Sequence, residues 1–325
     1  VAERRLEGLD ILFEGNGIGI GLRCQAGFPR FGASDRAFRI GLCASAGPPL
    51  LASRHAMGAL RFAKYEGLGN DFLVVDAESE AVVPEALAVQ LCDRRRGVGG
   101  DGVLLVLPPA NGSARARMRV INADGSVPEM CGNGLRCVAL HLARRDRAQG
   151  PVELVVETDA GPKACVVTRT SDHEGEVSIA MGAVRVTGTR EVTALGRTFS
   201  LTTADAGNPH AVFLGPFDRA DVERYGLALA TDPSFVRGTN VEFVRLHSPT
   251  HAEVIVWERG CGITLACGTG ACATAAVLAN AGLAPHEKEL TIELLGGSLH
   301  IRVDTNEQVQ MRGPARFVFD GSVAR

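Results

Sequence analysis

The chain has 325 residues, with 34 lysines and arginines against 37 aspartates and glutamates, a net charge of −3 and a pI near 6.3. A chain of this length can bury a large core and hold about two domains. Its basic residues are scattered, so no face for nucleic acid is expected, and no apolar run is long enough for a membrane-spanning helix.

Residues 1–56 are rich in glycine, arginine and small residues and lack a sustained period of two or 3.6. They read as a disordered or non-native extension, with Met57 as the natural start. Acidic residues such as Glu3, Glu7 and Asp10 and the absence of a basic-then-apolar core argue against a targeting segment. From residue 60 onward short strands are expected at 61–65, 72–76, 103–107 and 115–121, with a helix at 84–93. The glycine run 97–102 fits Gly-x-Gly-x-x-Gly. It follows a helix and precedes a strand, the reverse of a dinucleotide fingerprint, so that reading is rejected.

A turn at 122–126 leads to Met130-Cys131-Gly132-Asn133-Gly134-Leu135-Arg136-Cys137 and a helix to about 147. Strands at 152–158, 164–170 and 176–180 follow. The second half repeats the plan, with strands at 184–186, 197–203 and 211–214, a helix at 220–230, and strands at 240–246 and 251–258. Then come Ala266-Cys267-Gly268-Thr269-Gly270, a helix to 281, and strands at 290–294, 299–304 and 308–312. The expected fold is α+β, with two pseudo-symmetric domains, each a mostly antiparallel sheet or barrel wrapped around a central helix. The domains are taken as 57–180 and 181–312, with a strand at about 313–325 packing back on the first.

Both copies of Cys-Gly-polar-Gly place a cysteine at a helix entrance, among unpaired backbone N–H groups and the positive end of the dipole. That setting is expected to lower a thiol pKa, and the glycines let a ligand carboxylate reach the same N–H groups. One such cysteine reads as packing as readily as chemistry. Two copies of one rare pattern suggest a base and an acid on opposite faces of a carbon, the logic of a two-base racemase or epimerase.

Cofactors and metals are not expected. The nine cysteines form an odd count without Cys-x-x-Cys spacing, which disfavours disulfides and zinc and points to a reducing compartment. Pro249 between His247 and His251 forbids the helix that would aim both at one metal. Only Lys64, Lys163 and Lys288 occur, none in a context suited to pyridoxal phosphate.

From residue 60 to 319 the chain resembles the diaminopimelate epimerase family. The resemblance rests on Gly67-Leu68-Gly69-Asn70-Asp71-Phe72, Asn122-Ala123-Asp124-Gly125-Ser126, the two cysteine motifs, Gly207-Asn208-Pro209-His210, Thr239-Asn240-Val241 and Glu258-Arg259-Gly260. It implies a cytoplasmic, cofactor-independent enzyme acting on a small molecule, with no nucleic-acid or membrane partner, and is compatible with a homodimer. It implies interconversion of L,L- and meso-diaminopimelate on the route to lysine and peptidoglycan. Cys131 and Cys267 would be the thiolate and thiol, with His210 and Glu258 beside them. Asn70, Asn122, Gly132, Asn133, Asn208, Asn240, Arg259, Gly268 and Thr269 match its substrate contacts, Arg259 being suited to a distal carboxylate.

Three positions depart from the family pattern: Gly102 where some members carry Gln, Ile263 where Glu is common, and Val184 where Pro is frequent. The rival readings are a proline or hydroxyproline racemase, a non-catalytic relative that binds ligand, and a thiol-based redox or metal protein. The presence of Arg259 with the asparagine set favours the dicarboxylate over proline. Both cysteines being in place speaks against a relative without catalysis.

Overall fold

The computed structural model describes residues 58–110 and 112–324. The proposed extension 1–56, the start at Met57, Cys24 and Cys43 lie outside the described residues.

In chain order, β1 (Ala59–Gly67) and β2 (Asn70–Asp76) precede α1 (Glu85–Cys92), and β3 (Gly102–Leu107) and β4 (Ala116–Asn122) precede α2 (Gly132–Arg145). β5 (Val152–Thr158), β6 (Gly161–Arg169) and β7 (Glu174–Ala183) end this half, and β8 (Arg185–Ala194) follows. β9 (Arg197–Asp205) and β10 (Pro209–Leu214) then precede α3 (Arg219–Ala230), and β11 (Asn240–Ser248), β12 (His251–Glu258) and the two-residue β13 (Gly262–Ile263) precede α4 (Gly268–Asn280). β14 (Glu289–Leu294), β15 (Gly297–Val303) and β16 (Gln308–Ala324) close the chain.

The two halves share one wiring. β2 pairs parallel with β3 across α1, as β10 does with β11 across α3. β4 pairs parallel with β5 across α2, as β12 does with β14 across α4. A parallel pair needs a long crossover, and in all four cases a helix supplies it. The remaining pairings are antiparallel, so the α+β reading with two pseudo-symmetric, mostly antiparallel halves holds.

β1 through β7 join in sequence order, β16 pairs with β7, and β16 returns to β1, which closes an eight-stranded barrel around α2. β16 runs 17 residues without a break. Its first part pairs with β15 and β7, and residues 316–324 pair with β1, so one strand serves both halves. This continuity passes straight through residue 312, and β8 is far longer than the expected 184–186 segment.

α2 and α4 are buried on nearly every face; α4 is built of apolar and small residues, whereas α2 also buries Asn133 and Arg136 and carries His141, Arg144 and Arg145 at its C-terminal end. Alanines, glycines and threonines along α4 let the surrounding strands approach closely. Leu135, Leu140, Ala271, Ala276 and Met311 belong to a single core cluster that joins the halves. α1 and α3 lie outside it, each over its own cluster. α3 starts on a capping box in which Asp218 and Asp221 satisfy each other's backbone N–H groups.

Candidate active site

The two cysteines occupy the same position in the two halves. Cys131 is the N-cap of α2 with φ −136° and ψ 111°, and Cys267 is the N-cap of α4 with φ −122° and ψ 110°. Each sulfur accepts a hydrogen bond from the third helical N–H, Gly134 N and Gly270 N, at 3.4 Å. This is the bond a serine or aspartate cap would make, here made by sulfur. The first residues of the helices, Gly132 and Gly268, face each other and share Met311 behind them.

Candidate residues in the two halves come from matching strand positions. Asn122 ends β4 and Glu258 ends β12, each nine positions before its cysteine. In the first half Phe72 pairs with Gly102, and in the second His210 pairs with Asn240 at the same 30-residue separation. Gly102 is held close to β4, since a Cβ there would fall 2.8 Å from the Ile121 carbonyl oxygen, so a larger side chain would need the backbone to move.

Around Cys267, Thr269 Oγ1 lies 3.5 Å from the sulfur, and Glu258, whose charge acts on the thiol, accepts a hydrogen bond from Thr264 Oγ1. His210 is fully buried, with Nδ1 2.7 Å from Glu242 Oε1 and Nε2 2.9 Å from Asn208 Oδ1. The Arg259 N–H donates to Asn240 Oδ1 at 2.8 Å, and its guanidinium donates to the Arg237 carbonyl. Asn240 thus shapes the turn that carries Arg259.

On the Cys131 side, Asn133 Nδ2 donates to Asn70 Oδ1 at 3.2 Å and to the Ala266 carbonyl at 3.0 Å. That second bond reaches from the first turn of α2 to the residue before Cys267, tying the two halves at the thiols. Asn70 is oriented by Asp101, which accepts from its amide at 2.6 Å. Asn122 is engaged differently, its amide donating to Ser126 Oγ at 2.9 Å within its own turn.

Burial overrides the helix dipole. The sequence leads one to expect lowered thiol pKa values, but desolvation pushes the Cys131 thiol up, with Gly134 N–H opposing only in part. Cys267 is pushed well above the ordinary thiol range, first by burial and then by the carboxylates of Glu258 and Glu242. Glu258 is itself raised, mainly by burial, while the Thr264 hydroxyl favours its ionised form. Thiols so placed stay protonated until a ligand or neighbour compensates the charge.

Glu242, Thr264, Asp101 and Met311 were not legible as site residues. Glu242 follows the Thr239-Asn240-Val241 motif directly, and its alternation with Val241 and Phe243 reads as a solvent-facing strand position. β11 is instead an interior strand, and Glu242 is fully buried.

The chain is 41% identical over 281 residues to a diaminopimelate epimerase of Desulfitobacterium hafniense, covering 81% of this chain and 97% of that protein. It is 39% identical over 306 residues to a chloroplastic diaminopimelate epimerase of Oryza sativa subsp. japonica, covering 86% and 84%. Among solved structures, a probable proline racemase from Agrobacterium radiobacter superposes with a TM-score of 0.66 at 14% identity, over 82% of this chain and 93% of that one, a likeness of fold alone. The sequence pattern of the family described as Diaminopimelate epimerase matches residues 62–187 and 202–318, leaving out only the distal part of the β8–β9 hairpin between them. With the cysteine-capped helices inside those two stretches, the chain is an isomerase and belongs to the diaminopimelate epimerase family.

Proposed function

We propose that this chain interconverts L,L- and meso-diaminopimelate by a two-base mechanism at the α-carbon, without a cofactor, in the formation of lysine and peptidoglycan precursors. The observation that carries this reading is the matched pair of N-cap cysteines on helices whose first residues face each other. One thiolate removes the α-proton from one face. The other thiol delivers its proton to the opposite face, so the sulfurs exchange protonation states in each turnover and serve the two hands in opposite senses.

The backbone N–H groups of Gly132-Asn133 and Gly268-Thr269 stand at two helix N-termini, suited to hold the reacting carboxylate and the enolate-like charge that grows on it. Such help is needed because an α-proton is far less acidic than a thiol of reference pKa about 8.5. Arg259, Asn240, Asn208, Asn70 and Asn122 are assigned to substrate, with Arg259 on the distal carboxylate. His210 and Glu258 are assigned to the proton traffic of the thiols. In this reading residues 57–180 and 181–312 close on substrate, and the enzyme works as a cytoplasmic homodimer. No helix among the described residues is long and apolar enough to cross a membrane.

The test is α-proton exchange in heavy water, following L,L- and meso-diaminopimelate separately with wild type, Cys131→Ala and Cys267→Ala under full reduction. Exchange and epimerisation by wild type, with epimerisation lost in each variant, supports the two-base assignment. Turnover of proline in place of diaminopimelate overturns the substrate, and absence of any exchange overturns the enzyme reading.

A further inference from the structure

The two halves match in backbone but not in what stands behind each thiol. Gly134, the third residue of α2, sits over Leu104: a Cβ on it would fall 2.9 Å from Leu104 Cδ2. Gly270, the third residue of α4, sits over Glu242, 2.7 Å from Oε1 and 3.3 Å from Cys267 Sγ by the same construction. The strand registers agree, since Val74 pairs with Leu104 as Val212 pairs with Glu242, and Phe72 pairs with Gly102 as His210 pairs with Asn240. Where the first half buries Phe72 and Leu104, the second buries His210 and Glu242.

Folding does not require the polar pair, because the first half builds the same barrel wall from two apolar side chains. Keeping it is costly. Glu242 is fully buried, Oε1 is bonded to His210 Nδ1 at 2.7 Å, and Oε2 has no hydrogen-bond partner among the described residues. An apolar pair of similar size is often neutral or stabilising in such a place. The titratable groups facing the pair are Glu258 from β12 and the Cys267 thiol at the entrance of α4.

We propose that Glu242 is a positioning residue for Cys267: its buried carboxylate, with Oε1 fixed on His210 Nδ1, stands behind the second thiol where Leu104 stands behind Cys131. The thiols are then chemically unlike although their backbone settings coincide. The assignment rests on the two-thiol reading above, and it names the residue that breaks the symmetry between the two bases.

The experiment compares wild type, Glu242→Gln, Glu242→Leu and the double variant His210→Phe/Glu242→Leu, which installs the first half's pair. Thermal unfolding near that of wild type in the double variant is expected, and shows that the pair is not there for folding. Glu242→Leu is expected to keep KM within about threefold while kcat falls by about a hundredfold, with the pH profile of kcat/KM displaced. Glu242→Gln, whose amide oxygen can still accept from Nδ1–H, is expected to recover much of that loss. The proposal is overturned if Glu242→Leu retains wild-type kcat and pH profile, or if kcat, KM and melting temperature fall together in all three variants. Wild-type exchange of diaminopimelate, run alongside, keeps the outcomes separate: an inactive wild type sinks the function, whereas an active wild type with an active Glu242→Leu sinks only the role of Glu242.

Discussion

Gly132 and Gly268 meet across the molecule. A Cβ built on Gly132 would lie 3.7 Å from the Gly268 Cα, and one built on Gly268 would lie 3.6 Å from the Gly132 Cα. Each is the first residue of a cysteine-capped helix, so the contact brings two positive helix ends together, an arrangement that favours an anion between them. Met311, on the strand common to both halves, lies behind the contact.

Gly132→Ala and Gly268→Ala test how tightly that contact is set. The added methyl would meet Met311 Cε at 3.0 Å in the first variant and Met311 Sδ at 3.1 Å in the second, closer than ordinary packing. A flexible methionine can yield only partly inside a close-packed core, so each variant is expected to lose about 1–3 kcal/mol of stability. Activity is expected to fall much further than stability, because the helix ends are pushed apart where the carboxylate binds. Urea unfolding and steady-state kinetics separate the two effects. Full activity in both variants would show that the helix ends need not touch.

The cysteine-led helices were legible in the sequence because Cys-Gly-polar-Gly before an apolar run is a local signal, and both cysteines cap their helices as expected. The rejection of the 97–102 glycine run also holds: Gly99 and Gly100 donate to carbonyls at the end of α1, and Gly102 opens β3 rather than a helix. What the sequence hid depends on distant parts of the chain. β16 joins both halves only because residues 316–324 find β1, more than 240 positions away. The rise in thiol pKa depends on how completely the strands cover α2 and α4, which no local pattern encodes. The burial of Glu242 on β11 depends on the same cover.

Buried thiols outside the site make stability pH-dependent. Burial pushes Cys165 and Cys272 up to about 12, and Cys137 higher still, against an ordinary value of 9.0. Below 9.0 these thiols are protonated in both folded and unfolded chains, and their contribution to stability is fully present. As pH rises from there toward 12, the unfolded chain releases protons that the folded one retains, so stability falls. The urea midpoint under reducing conditions is expected to drop steadily between about pH 9 and pH 11. Cys165→Val, which removes one titrating group from β6, is expected to flatten the slope. A midpoint independent of pH in that window would count against the burial of these groups.

Thr264 offers the sharpest reading of the carboxyl beside Cys267. Its hydroxyl donates to Glu258 Oε1 and favours the ionised form, opposing the burial that raises Glu258. Thr264→Val keeps the β-branched shape and removes the donor. Glu258 then holds its proton to higher pH, and the negative charge that helps keep Cys267 protonated appears later in the titration. The acid limb of the kcat/KM profile is expected to move to higher pH, with the fold unchanged by circular dichroism. The direction follows from the sign of the lost interaction: a donor that stabilised the carboxylate is gone, so the neutral acid persists further up the pH scale. Superimposable profiles for wild type and variant would mean that Glu258 does not govern that limb, and its place beside the second thiol would then be one of packing.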